Sequence, residues 1–278
     1  TVEDLLTHRA GFSYEFNTGC HIAPGYDAIA LSEDGGVSLD DMMQKLASQP
    51  LAFQPGSQFR YSVATDVLAH VLEKASGEGL GDLLRRAIFD PLHMNDTGFH
   101  IADNAASRLM PMYGVDNIKD LSPISPPMAQ TLNPIDVEAM YPSNNPQFSR
   151  GGHGLFSTTA DYIKFATFLL SGQTTEGQTL LSLTMLKMLQ ANRIPPHQLP
   201  LRIGLGELPG YGWGLGVRVM MDTGQAMSLT NNGEFGWAGA ASTYFWVDPS
   251  ENMVGVIMTQ YLGSILPMSE EMRASAYQ

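Results

Sequence analysis

Side chains able to act as nucleophile, base or metal ligand are few in this chain and widely scattered. Seven histidines stand at positions 8, 21, 70, 93, 100, 153 and 197. None pairs with another at the i, i+4 spacing by which one helix offers two ligands to a metal. A single cysteine, Cys20, excludes an internal disulfide and any cysteine-rich metal site. Acyl transfer through serine needs a base close to the hydroxyl, and Ser-x-x-Lys provides it by placing both groups on one helix face. The lysines Lys45, Lys74, Lys119, Lys164 and Lys187 follow Met42, Val71, Asp116, Asp161 and Thr184 at that spacing, so the pair does not occur. His-Glu-x-x-His, Gly-x-Ser-x-Gly and the phosphate loop are absent as well. Gly204-Leu205-Gly206 lacks the third glycine of a dinucleotide fingerprint.

The elements that must carry any site read as helices first and strands later. A Thr1–Asp4 capping pair opens a helix, and Ser38 opens another with Met42, Met43 and Leu46 on its apolar side. Val67, Leu68, Val71 and Leu72 fall at helical spacing before Gly77, and 83–89 is predicted to continue as a helix to Pro91. Residues 103–150 carry Pro123, Pro126, Pro127 and Pro134 and read as a surface excursion, with one short helix after Pro134 through Val137 and Met140. Helices over 159–170 and from Ser182 through Leu189 follow. Beyond 209 the residues become aromatic and β-branched: 211–219, 240–247 and 253–260 are predicted strands. Asp248-Pro249-Ser250-Glu251-Asn252 makes the last two an antiparallel hairpin, and 266–277 starts a closing helix.

The chain of 278 residues is 44% hydrophobic and 15% charged, a globular composition. Its net charge of −13 repels phosphate backbones and anionic membranes, so no nucleic acid is expected as a partner. Apolar runs such as 253–258 are too short to cross a bilayer, so no transmembrane segment is expected. The pattern predicts one α+β domain over 1–278, with a helical lobe over 1–205 packed against an antiparallel β-sheet lobe over 206–278.

Five local blocks occur in one order. Leu5-Leu6-Thr7-His8-Arg9-Ala10-Gly11 comes first, then Pro55-Gly56 running into Phe59-Arg60-Tyr61-Ser62. Pro91-Leu92-His93-Met94-Asn95-Asp96-Thr97-Gly98-Phe99 precedes Gly151-Gly152-His153-Gly154-Leu155-Phe156-Ser157-Thr158, and Gly236-Trp237-Ala238-Gly239 closes the series. Together they resemble the serine β-lactamase-like, or penicillin-binding-protein-like, superfamily. Trp237-Ala238-Gly239 stands where penicillin-recognising members carry Lys-Thr-Gly or His-Thr-Gly, so the chain most resembles the family VIII carboxylesterases.

That resemblance implies a β-lactamase-like fold and hydrolysis of short-chain carboxylic esters through a seryl acyl-enzyme. Tyr61 is the implied base toward the serine; a phenol can serve so only if its pKa is lowered, normally by a nearby lysine. Trp237 and Gly239 are the implied pocket wall, and the Ala240 amide one oxyanion donor. His153 is a candidate substrate contact, while His8 is expected to bond backbone. Where penicillin-binding relatives have Tyr-x-Asn, this chain has Val63, which cannot hydrogen-bond a substrate amide and so favours esters. No metal or organic cofactor and no obligate protein partner is implied; the partner is a small-molecule ester. Ser-x-x-Lys lies upstream of the Leu-Leu-Thr-His block in relatives, so the sequence is expected to be N-terminally truncated, with the first strands of the sheet missing. It is then expected to be inactive alone, to express poorly and to carry a bare sheet edge. Two other readings stay open: a β-lactamase or D-alanyl-D-alanine carboxypeptidase, and a non-catalytic relative that binds through the cleft.

Overall fold

The computed structural model describes residues 1–17, 19–31, 35–114, 134–204, 206–263 and 268–278. Pro123, Pro126, Pro127, Leu205 and residues 266–267 lie outside them. The helical lobe begins with α1 (Val2–Leu6), where Thr1 Oγ1 accepts from the Asp4 amide at 3.2 Å, as the capping pair predicts. It continues through α2 (Ala23–Ala28), α3 (Leu39–Ala47) and α4 (Ala64–Ser76). Ser38 caps α3, and Gly77, at φ +73°, ends α4 in the left-handed conformation a side chain resists. The helix predicted over 83–89 is instead α5 (Leu80–Leu84) followed by a π-turn, Arg85–Phe89. Its backbone carries on unbroken from α5, which hydrophobic spacing alone does not separate. Further on come α6 (Thr159–Ser171) and α7 (Leu183–Gln190), capped by Thr158 and Ser182.

Strands appear earlier than expected. β1 (Met112–Gly114) pairs antiparallel with β2 (Pro134–Ile135), so the segment after Pro134 starts as a strand and makes only a single turn at Val137–Tyr141. Next come β3 (Leu201–Ile203) and β4 (Gly206–Leu208), an antiparallel pair. The predicted strand over 211–219 is a hairpin, β5 (Tyr211–Trp213) and β6 (Arg218–Met220), because Gly214-Leu215-Gly216 turns the chain with Gly216 at φ +86°. Trp237 lies within its own strand, β7 (Phe235–Ala238), ahead of β8 (Tyr244–Asp248) and β9 (Met253–Ile257). β8 and β9 form the predicted hairpin, closed by Asp248 Oδ1 accepting from the Ser250 and Glu251 amides. The short β10 (Tyr261–Leu262) runs parallel to β1, and α8 (Met268–Ala276) follows.

Strands β5 to β9 make one antiparallel sheet in sequence order. Its register lines up Trp237, Phe245 and Val256, and beside them Phe235, Val247 and Val254. These rows share the inner face and pack on Ala166, Phe168 and Leu169 of α6. This apolar layer joins the two lobes and gives the α+β architecture expected. Among the described residues β9 pairs with β8 alone, so its other edge carries no strand.

The outer face holds charge. Glu234 is 0% exposed and takes two hydrogen bonds from Arg273 Nη1, at 3.0 and 3.1 Å. The same guanidinium donates to the Tyr211 and Tyr244 hydroxyls, fixing α8 on the sheet. A buried carboxylate stripped of its partner costs about 3–5 kcal/mol, whereas an apolar pair of similar size can replace both. Arg273→Met is therefore expected to lower unfolding free energy by about that amount, and adding Glu234→Leu to restore most of it. Urea denaturation of the single and double variants checks this.

Candidate active site

Tyr61 sits just ahead of α4, in a segment whose backbone is clamped on several sides. Asn17 Nδ2 donates to the Tyr61 carbonyl at 2.9 Å, and the Arg60 amide donates to the His8 carbonyl at 2.9 Å. The Ser62 amide donates to His8 Nδ1 at 3.2 Å. His8 is 2% exposed, and burial pushes its imidazole down to about 3, so the ring is neutral and Nδ1 can accept. It therefore bonds backbone, as its place in the sequence suggested.

The Tyr61 hydroxyl lies among rings. His8 is 4.5 Å away between ring centroids, Trp237 5.3 Å, Tyr14 5.6 Å and Trp213 6.1 Å. Trp237 Nε1 donates to its oxygen at 3.2 Å. Burial raises the phenol above its ordinary value, the Trp237 bond opposes that, and the Asp66 carboxylate adds to it. The lysine expected to lower this phenol is not found within hydrogen-bond reach among the described residues, and Tyr61 is protonated at neutral pH.

Beyond Trp237 the chain turns sharply. Gly239 N donates to the Thr243 carbonyl at 2.8 Å, and Ser242 N to the Gly239 carbonyl at 3.0 Å. A Cβ on Gly239 would meet Thr243 Oγ1 at 2.2 Å, so a side chain here would have to displace that hydroxyl. Ala240, at the exposed tip, lines the cleft. Buried in α4, Asp66 Oδ1 accepts from the Gly151 and Gly152 amides at 2.9 and 3.1 Å and pins the loop that carries His153. His153 packs against Tyr141 at 5.5 Å and Phe148 at 5.8 Å; burial, helped by Arg150, pushes it down to about 4, so it too is neutral. Tyr61, His153, Trp237, Gly239 and Ala240 all line one cleft of about 2860 Å³ between the lobes.

Two hydroxyls inside the chain could be taken for a nucleophile. Ser62 Oγ is 3.5 Å from His8 Nδ1, but Ser62 is 1% exposed, does not line the cleft, and its own amide already occupies that nitrogen. Thr184, one turn before Lys187, is exposed on α7 and also away from the cleft. Asn17, Tyr14, Trp213 and Asp66 complete the site and went unread in the sequence. The Asn17 and Asp66 contacts span 44 and 85 residues, and no local spacing encodes them.

Burial raises Asp66 from 3.8 to about 6, and Arg150 and the two glycine amides only partly oppose it. Between those values the folded chain keeps a proton that the unfolded chain has lost. This group's contribution is thus complete below pH 4 and is lost as pH rises through 6, by about 3 kcal/mol. Relative to the parent, Asp66→Asn is expected to gain stability by up to that amount between pH 4 and 7. Denaturation across this range measures it, and His8 and His153, common to both proteins, cancel.

The sequence profile of the Beta-lactamase family matches residues 1–276. Protein Rv1367c of Mycobacterium tuberculosis is 29% identical over 264 residues, covering 94% of this chain and 62% of its own. The chain thus spans less than two thirds of that relative's length. Esterase EstB of Burkholderia gladioli is 27% identical over 303 residues, covering 100% of this chain and 69% of its own. The solved structure of EstCE1, described as a hydrolase with promiscuous acyltransferase activity, superposes with a TM-score of 0.81 at 23% identity, over 99% of this chain and 71% of that one. With its five sequence blocks drawn around one cleft and the family profile running through almost its whole length, the chain belongs to the Beta-lactamase family.

Proposed function

We propose that this domain hydrolyses short-chain carboxylic esters through a seryl acyl-enzyme, with the serine and its lysine supplied by a segment outside the present sequence. The observation that carries the reading is the Tyr61 oxygen, set in the cleft wall beside Trp237 and ahead of an exposed backbone turn. Tyr61, once deprotonated, takes the proton of the attacking serine hydroxyl and returns it to the departing alkoxide. The Ala240 amide, together with the serine's own, stabilises the oxyanion.

Esters are favoured over amides because of Val63, which is 1% exposed and packs in the helical core with Tyr26 and Met42. It neither reaches the cleft nor could orient a substrate amide. His153 and Trp237 present neutral rings, which suit an acyl or alcohol portion better than a carboxylate.

The test uses the protein extended upstream of residue 1 through a Ser-x-x-Lys. It is expected to turn over a nitrophenyl butyrate ester and to leave a chromogenic cephalosporin intact, and Tyr61→Phe to lower kcat by about 10²–10⁴-fold. Comparable kcat/KM on the cephalosporin would move the assignment to a β-lactamase. Ester turnover by residues 1–278 alone would place the nucleophile within this sequence.

A further inference from the structure

We infer that Trp237 is a positioning residue for Tyr61: its indole N–H holds the phenolic oxygen in one orientation and solvates the oxygen when its proton leaves. This rests on Tyr61 being the base proposed above, and the argument is geometric. The Nε1···O distance is 3.2 Å, and among the described residues no other side chain hydrogen-bonds that oxygen. An indole N–H can only donate, so the phenolic oxygen must accept from it. The phenol's own proton is thereby turned away from Trp237, and once it has left, that side of the oxygen is free to accept the proton of a nucleophile's hydroxyl.

The indole is itself held. Its backbone is paired in β7, with Trp237 opposite Phe245 on β8. Its ring meets Trp213 edge-on, at 4.5 Å and 77°. Trp213 is anchored in turn, since its Nε1 donates to the Leu6 carbonyl at 3.1 Å. The two tryptophans thus do different things with the same group: one N–H ties the sheet to the first helix, and the other is aimed at Tyr61. A ring serving only to fill the pocket has no need to point its nitrogen at a buried oxygen. A neutral donor also differs from a cation at this place. It steadies the phenolate without presenting a positive charge that would attract a substrate carboxylate.

The test reads protonation directly and needs no turnover, so it stands apart from the choice of substrate and from the missing nucleophile. A ring-fluorinated tyrosine placed at position 61 brings the phenol's titration into a range where the fold survives, and fluorine NMR follows it. Trp237→Phe keeps a ring and removes the N–H; the midpoint is expected to rise by about one pH unit, the worth of one neutral hydrogen bond. Tyr14→Phe, which keeps the ring packed on Tyr61 and leaves Trp237 and its supports unchanged, is expected to move it much less. If Trp237→Phe does not fold, benzothienylalanine at 237 keeps the bicyclic shape with sulfur in place of N–H and is expected to give the same rise. An unchanged midpoint in a folded Trp237 variant, or an equal rise with Tyr14→Phe, overturns the inference.

Discussion

Beside the apolar layer under α6, the carbonyl of Leu6 ties the first helix to the sheet next to the site. It ends α1, where a helix leaves its last carbonyls without intrahelical donors. Two donors from the sheet lobe fill that need: Trp213 Nε1 and the Gly216 amide, both at 3.1 Å. One residue past Thr7 the chain enters the left-handed region at His8, φ +52°, and so presents the imidazole to the Ser62 amide. Sheet, first helix and the Tyr61 segment are thereby tied within a few residues. A positive φ on a non-glycine residue is costly, and here the surrounding hydrogen bonds over-determine it. Displacing Leu6 would shift Trp213, the support of Trp237, and His8, the support of Tyr61, at the same time.

The rings that surround Tyr61 in this site are neutral. His8 and His153 are held uncharged by burial, and Tyr61 keeps its proton. Charged groups nearby do structural work: Asp66 grips a loop, while Arg273 and Glu234 lie on the outer face. A neutral aromatic surround strengthens any hydrogen bond made inside it, because little water competes. It also makes a phenol a weak base until something stabilises the anion. In the proposed chemistry Tyr61 would therefore depend on the groups beside it, of which the structure holds one, the Trp237 N–H.

Much of this was legible in the sequence, and the boundary has a physical cause. Caps at Thr1, Ser38 and Ser182, and the glycine stop at 77, are contacts within four residues, and the structure shows each of them. The β8–β9 hairpin was readable because Asp248 and Asn252 carry the turn chemistry themselves. Two glycines hid the bend in 211–219, since strand composition continues on either side of it. Tyr61 and Trp237 were found through motif order, yet their contact, across 176 residues, is a product of lobe packing. Asn17 and Asp66 act on backbone groups far along the chain, and no periodicity marks a residue for that.

The turn at Gly239–Ser242 links both halves of the proposed chemistry. A strand slipped by one residue turns every side chain to the opposite face. In β7 such a slip would bury Ala238 and carry Trp237 to the outer side, away from Tyr61. The β7–β8 register is held by the buried inner-face rows and by the closure of this turn, through Gly239 N to the Thr243 carbonyl and Ser242 N to the Gly239 carbonyl. Ser242 adopts φ +62° to complete it, and Thr243 Oγ1 fills the space of a side chain at 239. Ala240 stands at the tip of that turn, its position set by the closure that also sets the direction of the indole. A side chain at 239 would have to displace the Thr243 hydroxyl from the inside of this turn, next to the amide at 240 and two residues from the indole.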